Sequence, residues 1–151
     1  MSPRSIKHTP LAITVPLPDG WEQEVEDGNT DVFWNEPEGP GTLRVAVLVY
    51  QAPEPVTDED LQAVLTEDDD ELQPAATPDG GYLAVSQDDD EEEGVSIHNW
   101  LWTLTKRGPE NQVAVIVCTY TIENELIPTP EAESELQIVE QAVRGIRVTH
   151  E

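Results

Sequence analysis

Three histidines, one cysteine and four tryptophans are the side chains here whose chemistry could go beyond packing. His98 lies in the run Ser96-Ile97-His98-Asn99-Trp100-Leu101-Trp102. In an extended strand alternate residues share a face, so His98, Trp100, Trp102 and Leu104 point the same way. Such a face is core if a helix covers it. Left open, it is an aromatic groove suited to a partner or small ligand. His98, Trp100 and Trp102 are therefore the candidate binding residues. A histidine working as general base needs a partner within hydrogen-bond reach, and its sequence neighbours supply none, so no catalytic residue is assigned. His8 and His150 sit in the terminal segments. Cys118, inside a strand pattern, reads as a small buried apolar residue.

Other chemistry is sparse. The run Asp88-Asp89-Asp90-Glu91-Glu92-Glu93 offers oxygen ligands, but a calcium loop spaces them and bends around the ion through a glycine. Contiguous carboxylates in an extended chain point in opposite directions, so the run reads as a solvated hairpin tip, and 67–71 reads likewise. Nucleophile elbows, phosphate loops and dinucleotide fingerprints are missing from the sequence. No metal and no cofactor is implied, and the expectation is a protein that is not an enzyme.

The chain carries seven Lys and Arg against 32 Asp and Glu, a formal charge of −25. That balance repels nucleic acid and anionic membranes. Three explanations fit: solvation in a salt-rich, halophilic cytoplasm, a basic protein partner, or mimicry of nucleic acid. One cysteine excludes an intramolecular disulfide. The opening residues lack a signal-peptide core, and no apolar run is long enough to span a bilayer, so the expected location is the cytoplasm.

The elements that must position these residues follow from periodicity. Residues 1–10 read as a flexible arm and 11–151 as one α+β domain. Its length suits a single core that buries about 68–70% of the unfolded surface. Alternating strands are expected at 11–17, 31–35, 42–51 and 82–87. Val95 to Thr121 reads as two long arms joined near Gly108, apolar on both faces and therefore central and covered. The same argument places the 42–51 strand under cover. Thr57 caps a helix with an acidic first turn and an inward stripe of Leu61, Val64 and Leu65. Thr129-Pro130 opens a second helix that ends at Gly145, with Leu136, Val139, Val143 and Ile146 inward. Segregated helices and strands give an α+β class, an antiparallel sheet of about six strands with helices packed on it.

The opening Ile13-Thr14-Val15-Pro16-Leu17-Pro18-Asp19-Gly20-Trp21 resembles the start of PsbP-like domains. The turn Gly39-Pro40-Gly41 into Leu43-Arg44-Val45-Ala46-Val47 is similar to their second hairpin. The resemblance implies an antiparallel sheet between helices and a non-enzymatic, often protein-binding role. It transfers no catalytic residues. The leading expectation is a binding or accessory protein with a protein partner. The alternatives are a small-ligand-binding or hydrolytic protein with a pocket near His98, and an acidic nucleic-acid mimic.

Overall fold

The computed structural model describes residues 2–6, 12–17, 21–26, 30–35, 41–66, 74–77, 81–108 and 111–149. Expectations for His8, His150, the turns at 18–20, 27–29 and 36–40, and the acidic run 67–71 lie outside them. The elements in chain order are β1 (Ser2–Ile6), β2 (Ala12–Leu17), β3 (Trp21–Glu26), β4 (Thr30–Asn35), β5 (Gly41–Gln51), α1 (Asp58–Thr66), β6 (Ala75–Ala76), β7 (Tyr82–Glu92), β8 (Val95–Arg107), β9 (Gln112–Glu123), α2 (Pro130–Arg144) and β10 (Arg147–Thr149). A short 3-10 turn, Asn124–Leu126, precedes α2.

Seven strands form one antiparallel sheet in the order β3-β4-β5-β9-β8-β7-β6. The long hairpin lies at its middle. β9 pairs along its length with both β5 and β8. Gly108 N–H donates to Gln112 O at 2.8 Å, and Asn111 has φ 64°, the left-handed conformation that lets the chain reverse. A second sheet, β1-β2-β10, is built from the two ends of the chain. Ser2–Ile6, expected in a flexible arm, pairs antiparallel with β2. That pairing makes β2 the middle strand of the small sheet, and it has no local signature in the first ten residues. Pro16 fits because β10 pairs only with Ala12 to Thr14, so its missing N–H leaves no gap in that ladder.

One face of the large sheet carries the main core. Phe33, Leu43, Val45, Leu104, Ile116, Cys118 and Tyr120 pack there against Ile13, Val15 and Leu17 of β2 and against Ala132, Val139, Ala142 and Val143 of α2. Thr129 caps α2, its hydroxyl accepting from Ala132 N–H at 3.2 Å, with Pro130 at the first helical position. Gly145 stops it: its N–H is shared between Gln141 O at 3.1 Å and Ala142 O at 3.2 Å, and Ile146 N–H donates to Val143 O at 3.2 Å.

The opposite face is only partly covered. α1 brings Leu61, with Val64 beside it, onto Val113 and Val115 of β9, and buries Leu65 as well. Fully burying one such leucine contributes about 1.5–3 kcal/mol, so α1 is held by little apolar area. Polar contacts supplement it: Thr105 Oγ1 donates to Leu61 O at 3.0 Å, and Arg107 pairs with Asp58. Thr57 and Asp60 cap its start reciprocally, Asp60 N–H donating to Thr57 Oγ1 and Thr57 N–H to Asp60 Oδ2. The Thr57 N–H first, and the Thr57 hydroxyl after it, hold the Asp60 carboxyl below its ordinary range. Away from α1 the face opens, leaving Leu48 at 42% and Tyr50 at 55% exposed. β5 is central in the sheet, as its apolar content implies, but it is covered on one face alone.

Candidate functional site

The candidate residues all sit on the β7–β8 ribbon. Glu92 pairs with Val95, and the two residues between them, Glu93 and Gly94, have φ 52° and 83°. Positive φ at both positions is the two-residue turn whose twist suits a tight hairpin. The acidic run expected as a turn is therefore mostly strand: Asp88–Glu92 continues β7 in register with Val95–Asn99, and only two residues turn. Low β-propensity of Asp and Glu gives way here because pairing with a long β8 fixes the backbone while the carboxylates stay in water. All six acidic side chains are exposed. They alternate faces, Asp88, Asp90 and Glu92 on one and Asp89 and Glu91 on the other.

The tight turn also fixes the hydrogen-bond phase. In such a hairpin the flanking pair is hydrogen-bonded, and bonded and non-bonded pairs alternate from there. Asp89 and His98 form a non-bonded pair, where facing side chains come closest. His98 Nδ1 lies 2.6 Å from Asp89 Oδ1, and Nε2 lies 3.0 Å from Gln87 Oε1. Trp100 meets the imidazole edge-on, centroids 4.4 Å apart at 74°. The partner for His98 that its sequence neighbours lack comes across the strand pair. On the other face Asn99 Nδ2 donates to Asp88 Oδ1 at 2.9 Å, and Thr121 Oγ1 donates to Asn99 Oδ1 at 2.7 Å.

The three sequence candidates separate by depth. The His98 side chain is 16% exposed and reaches the surface through Asp89, itself 73% exposed. Trp100 is half-buried, leaning on Tyr120 with ring centroids 5.7 Å apart. Trp102 is 2% exposed and packs in the main core.

The His98–Asp89 pair has the form of an oriented base, but both ring nitrogens already face oxygens of the protein. Alternation puts Ser86 on the opposite face; Ser96 shares the His98 face, exposed and opposite Glu91, while both His98 nitrogens are engaged by Asp89 and Gln87. Cys118 is fully buried, which pushes its thiol up and away from nucleophilic use. A pocket at the ribbon tip is lined by Glu92, Glu93, Val95, Ile97 and Glu123, not by His98. Among the described residues no three His, Cys, Asp or Glu side chains gather to hold a metal ion. No helix among them is long and apolar enough to cross a membrane.

Behind the ribbon lies a polar group the sequence reading missed. Glu135, 4% exposed, points from α2 into the core. Its Oε1 accepts from Gly41 N–H at 2.9 Å and from Tyr120 O–H at 2.8 Å, while Oε2 is buried without a hydrogen-bond partner among the described residues. Burial pushes its carboxyl up; the two donors pull the other way and do not overcome that push. Burial, and then the Glu135 charge, push the Tyr120 phenol up as well. Gly41 is required, since a Cβ there would lie 2.4 Å from Tyr120 Cζ. The available signal was spacing: Glu135 falls three residues after Ala132 and four before Val139, on the buried stripe.

Solved structures share this architecture. A protein from Bacteroides thetaiotaomicron superposes with a TM-score of 0.66 over 92% of this chain at 16% identity. This chain spans 46% of that protein's length. LpqN of Mycobacterium tuberculosis, described as involved in cell envelope biogenesis, matches at a TM-score of 0.59 and 11% identity over 99% of this chain and 91% of its own. The Ran-binding protein Mog1p of Saccharomyces cerevisiae matches at 0.50 and 12% identity, over 98% and 96%. At these identities the likeness is one of fold. It agrees with the α+β architecture that the PsbP-like resemblance implies. No protein-family model matches the sequence, and no curated protein matches it.

Proposed function

We propose that this chain is a non-catalytic binding or accessory protein whose partner is a basic protein, docked on the β7–β8 ribbon. The observation that carries this reading is the display of Asp88–Glu92. Five consecutive carboxylates are fixed in strand register on an exposed ribbon, not left on a solvated loop. Fixed like charges repel one another, and a cationic surface relieves that repulsion while gaining on-rate. The fold likeness to Mog1p, described as Ran-binding, supports the protein-binding class without naming a partner here.

The test is retention of proteins from native lysate on the immobilised chain, with two neutralised variants. One replaces Asp88, Asp90, Glu91 and Glu92 by their amides and leaves Asp89 to hold His98. The other neutralises Glu131, Glu133 and Glu140 on the exposed side of α2. The expected result is a basic protein released by salt, lost with the ribbon variant and kept by the helix variant. Equal retention by both variants sinks the proposal.

A further inference from the structure

We infer that the outer edge of β7 is a strand-addition site, taking an extended, lysine- or arginine-rich segment of a partner as an eighth strand of the large sheet. This rests on the protein-binding reading above and states how the partner would be held.

The argument starts from the backbone. β7 runs from Tyr82 to Glu92, yet among the described residues its outer neighbour β6 meets only Tyr82 and Leu83. The tight turn at Glu93–Gly94 makes Glu92, Asp90, Asp88 and Ser86 the residues bonded to β8. The N–H and C=O groups of Val85, Gln87, Asp89 and Glu91 therefore point outward. Two contacts confirm this phase. Gly81, of the same parity, turns its C=O outward to accept from Thr77 N–H at 2.9 Å, and Glu91 N–H is met by the Asp90 side chain at 2.8 Å. Such a row of main-chain groups is a template for another strand.

The side chains choose the occupant. An added strand would carry alternate residues past Val85, Gln87, Asp89 and Glu91 on one face and past Ser86, Asp88 and Asp90 on the other. Both faces are acidic along the outer half, so positive residues of both parities find partners there. At the inner end Val85, 41% exposed, offers one apolar contact. A second copy of this edge would set carboxylates against carboxylates, which is unfavourable for directly opposed pairs. The edge thus repels its own kind and selects a cationic strand.

The test uses the intact chain and a short synthetic peptide of lysine and threonine with one valine. A second peptide of equal charge carries two adjacent prolines, which remove N–H groups from both of its edges. The first peptide is expected to bind at low salt and to slow amide exchange at Gln87 and Asp89 by at least about tenfold, the factor for a site closed about 90% of the time. Asp88 and Asp90, already bonded to β8, change less. Gln87→Pro keeps the net charge and every backbone bond to β8, losing there only the side-chain contact to His98, and is expected to weaken binding of the first peptide at least about tenfold. If both peptides bind equally and no outward amide is protected, strand addition is overturned and a plain electrostatic contact remains. If neither peptide binds at low salt, strand addition and the basic-partner reading fall together.

Discussion

Replacing Glu135 by Ala and by Gln separates the two things this buried acid does. Alanine removes the acceptor shared by Gly41 N–H and Tyr120 O–H, both in buried residues. A buried donor left unpaired costs about 1–3 kcal/mol, so Glu135→Ala is expected to lose about 2–6 kcal/mol. That is a large share of the 5–15 kcal/mol typical of a whole domain. Glutamine keeps an oxygen in the Oε1 position and cannot ionise, so it is expected to lose far less. The two variants also differ in pH dependence. The Glu135 carboxyl is raised in the folded state, chiefly by burial. The stability it contributes is fully present below the ordinary glutamate range and is lost as pH rises through the raised folded value. The advantage of wild type over Glu135→Gln should therefore shrink as pH rises, and every other carboxylate cancels in the comparison. Urea unfolding at several pH values between about 5 and 8 reads this directly, because urea leaves charges unscreened. A gap between wild type and Gln that is flat with pH, or an Ala variant as stable as Gln, would refute the reasoning.

Four further substitutions test the packing and the helix cap. Gly41→Ala drives a methyl group to 2.4 Å from Tyr120 Cζ. It is expected to cost more than the about 1–3 kcal/mol usual for overpacking, because the ring it displaces also holds Glu135, and urea midpoints measure it. Trp102→Ala, at 2% exposure, should lose about 3–5 kcal/mol, and Trp100→Ala, half-buried, distinctly less; equal losses would contradict their placement. Thr57→Ala removes the acceptor for Asp60 N–H and should cost about 1 kcal/mol, visible as faster amide exchange confined to α1.

The sequence made some of this legible and hid the rest for physical reasons. The limits of α2 were readable because Thr129-Pro130 and Gly145 are local signals with local causes. The central hairpin was readable because β9 must be apolar on both faces to lie between β5 and β8 under cover. The small sheet was not, since it joins β2 to partners from both chain ends and each strand is too short to announce its register. The acidic half of β7 read as loop because Asp and Glu disfavour strands on average. Its actual signal was the Glu93-Gly94 pair. Placed as a two-residue turn, it makes positions equidistant from it partners and brings Asp89 opposite His98. Trp102 and His98 share a face, as alternation requires, yet α2 and β2 cover that face only in part. Strand periodicity sorts residues by side of the sheet and says nothing about where a covering layer ends.

The acidity of β7 can act as a guard or as a lure, and salt distinguishes them. As a guard, the carboxylates keep two copies from pairing edge to edge, the usual way natural sheets protect an open strand. That protection is electrostatic, and the screening length falls from about 10 Å at 0.1 M salt to about 3 Å at 1 M. Self-association through β7 should therefore grow with salt, while capture of a cationic strand should fade with it. Sedimentation of the chain alone and of the chain with the lysine peptide, across the same salt series, sets the two against each other. Gln87→Pro should suppress both, since each needs the same outward N–H groups. A variant that lost the peptide yet kept salt-driven dimers would move the dimer contact off this edge. The open face around Leu48 and Tyr50 would then be the surface that joins the copies.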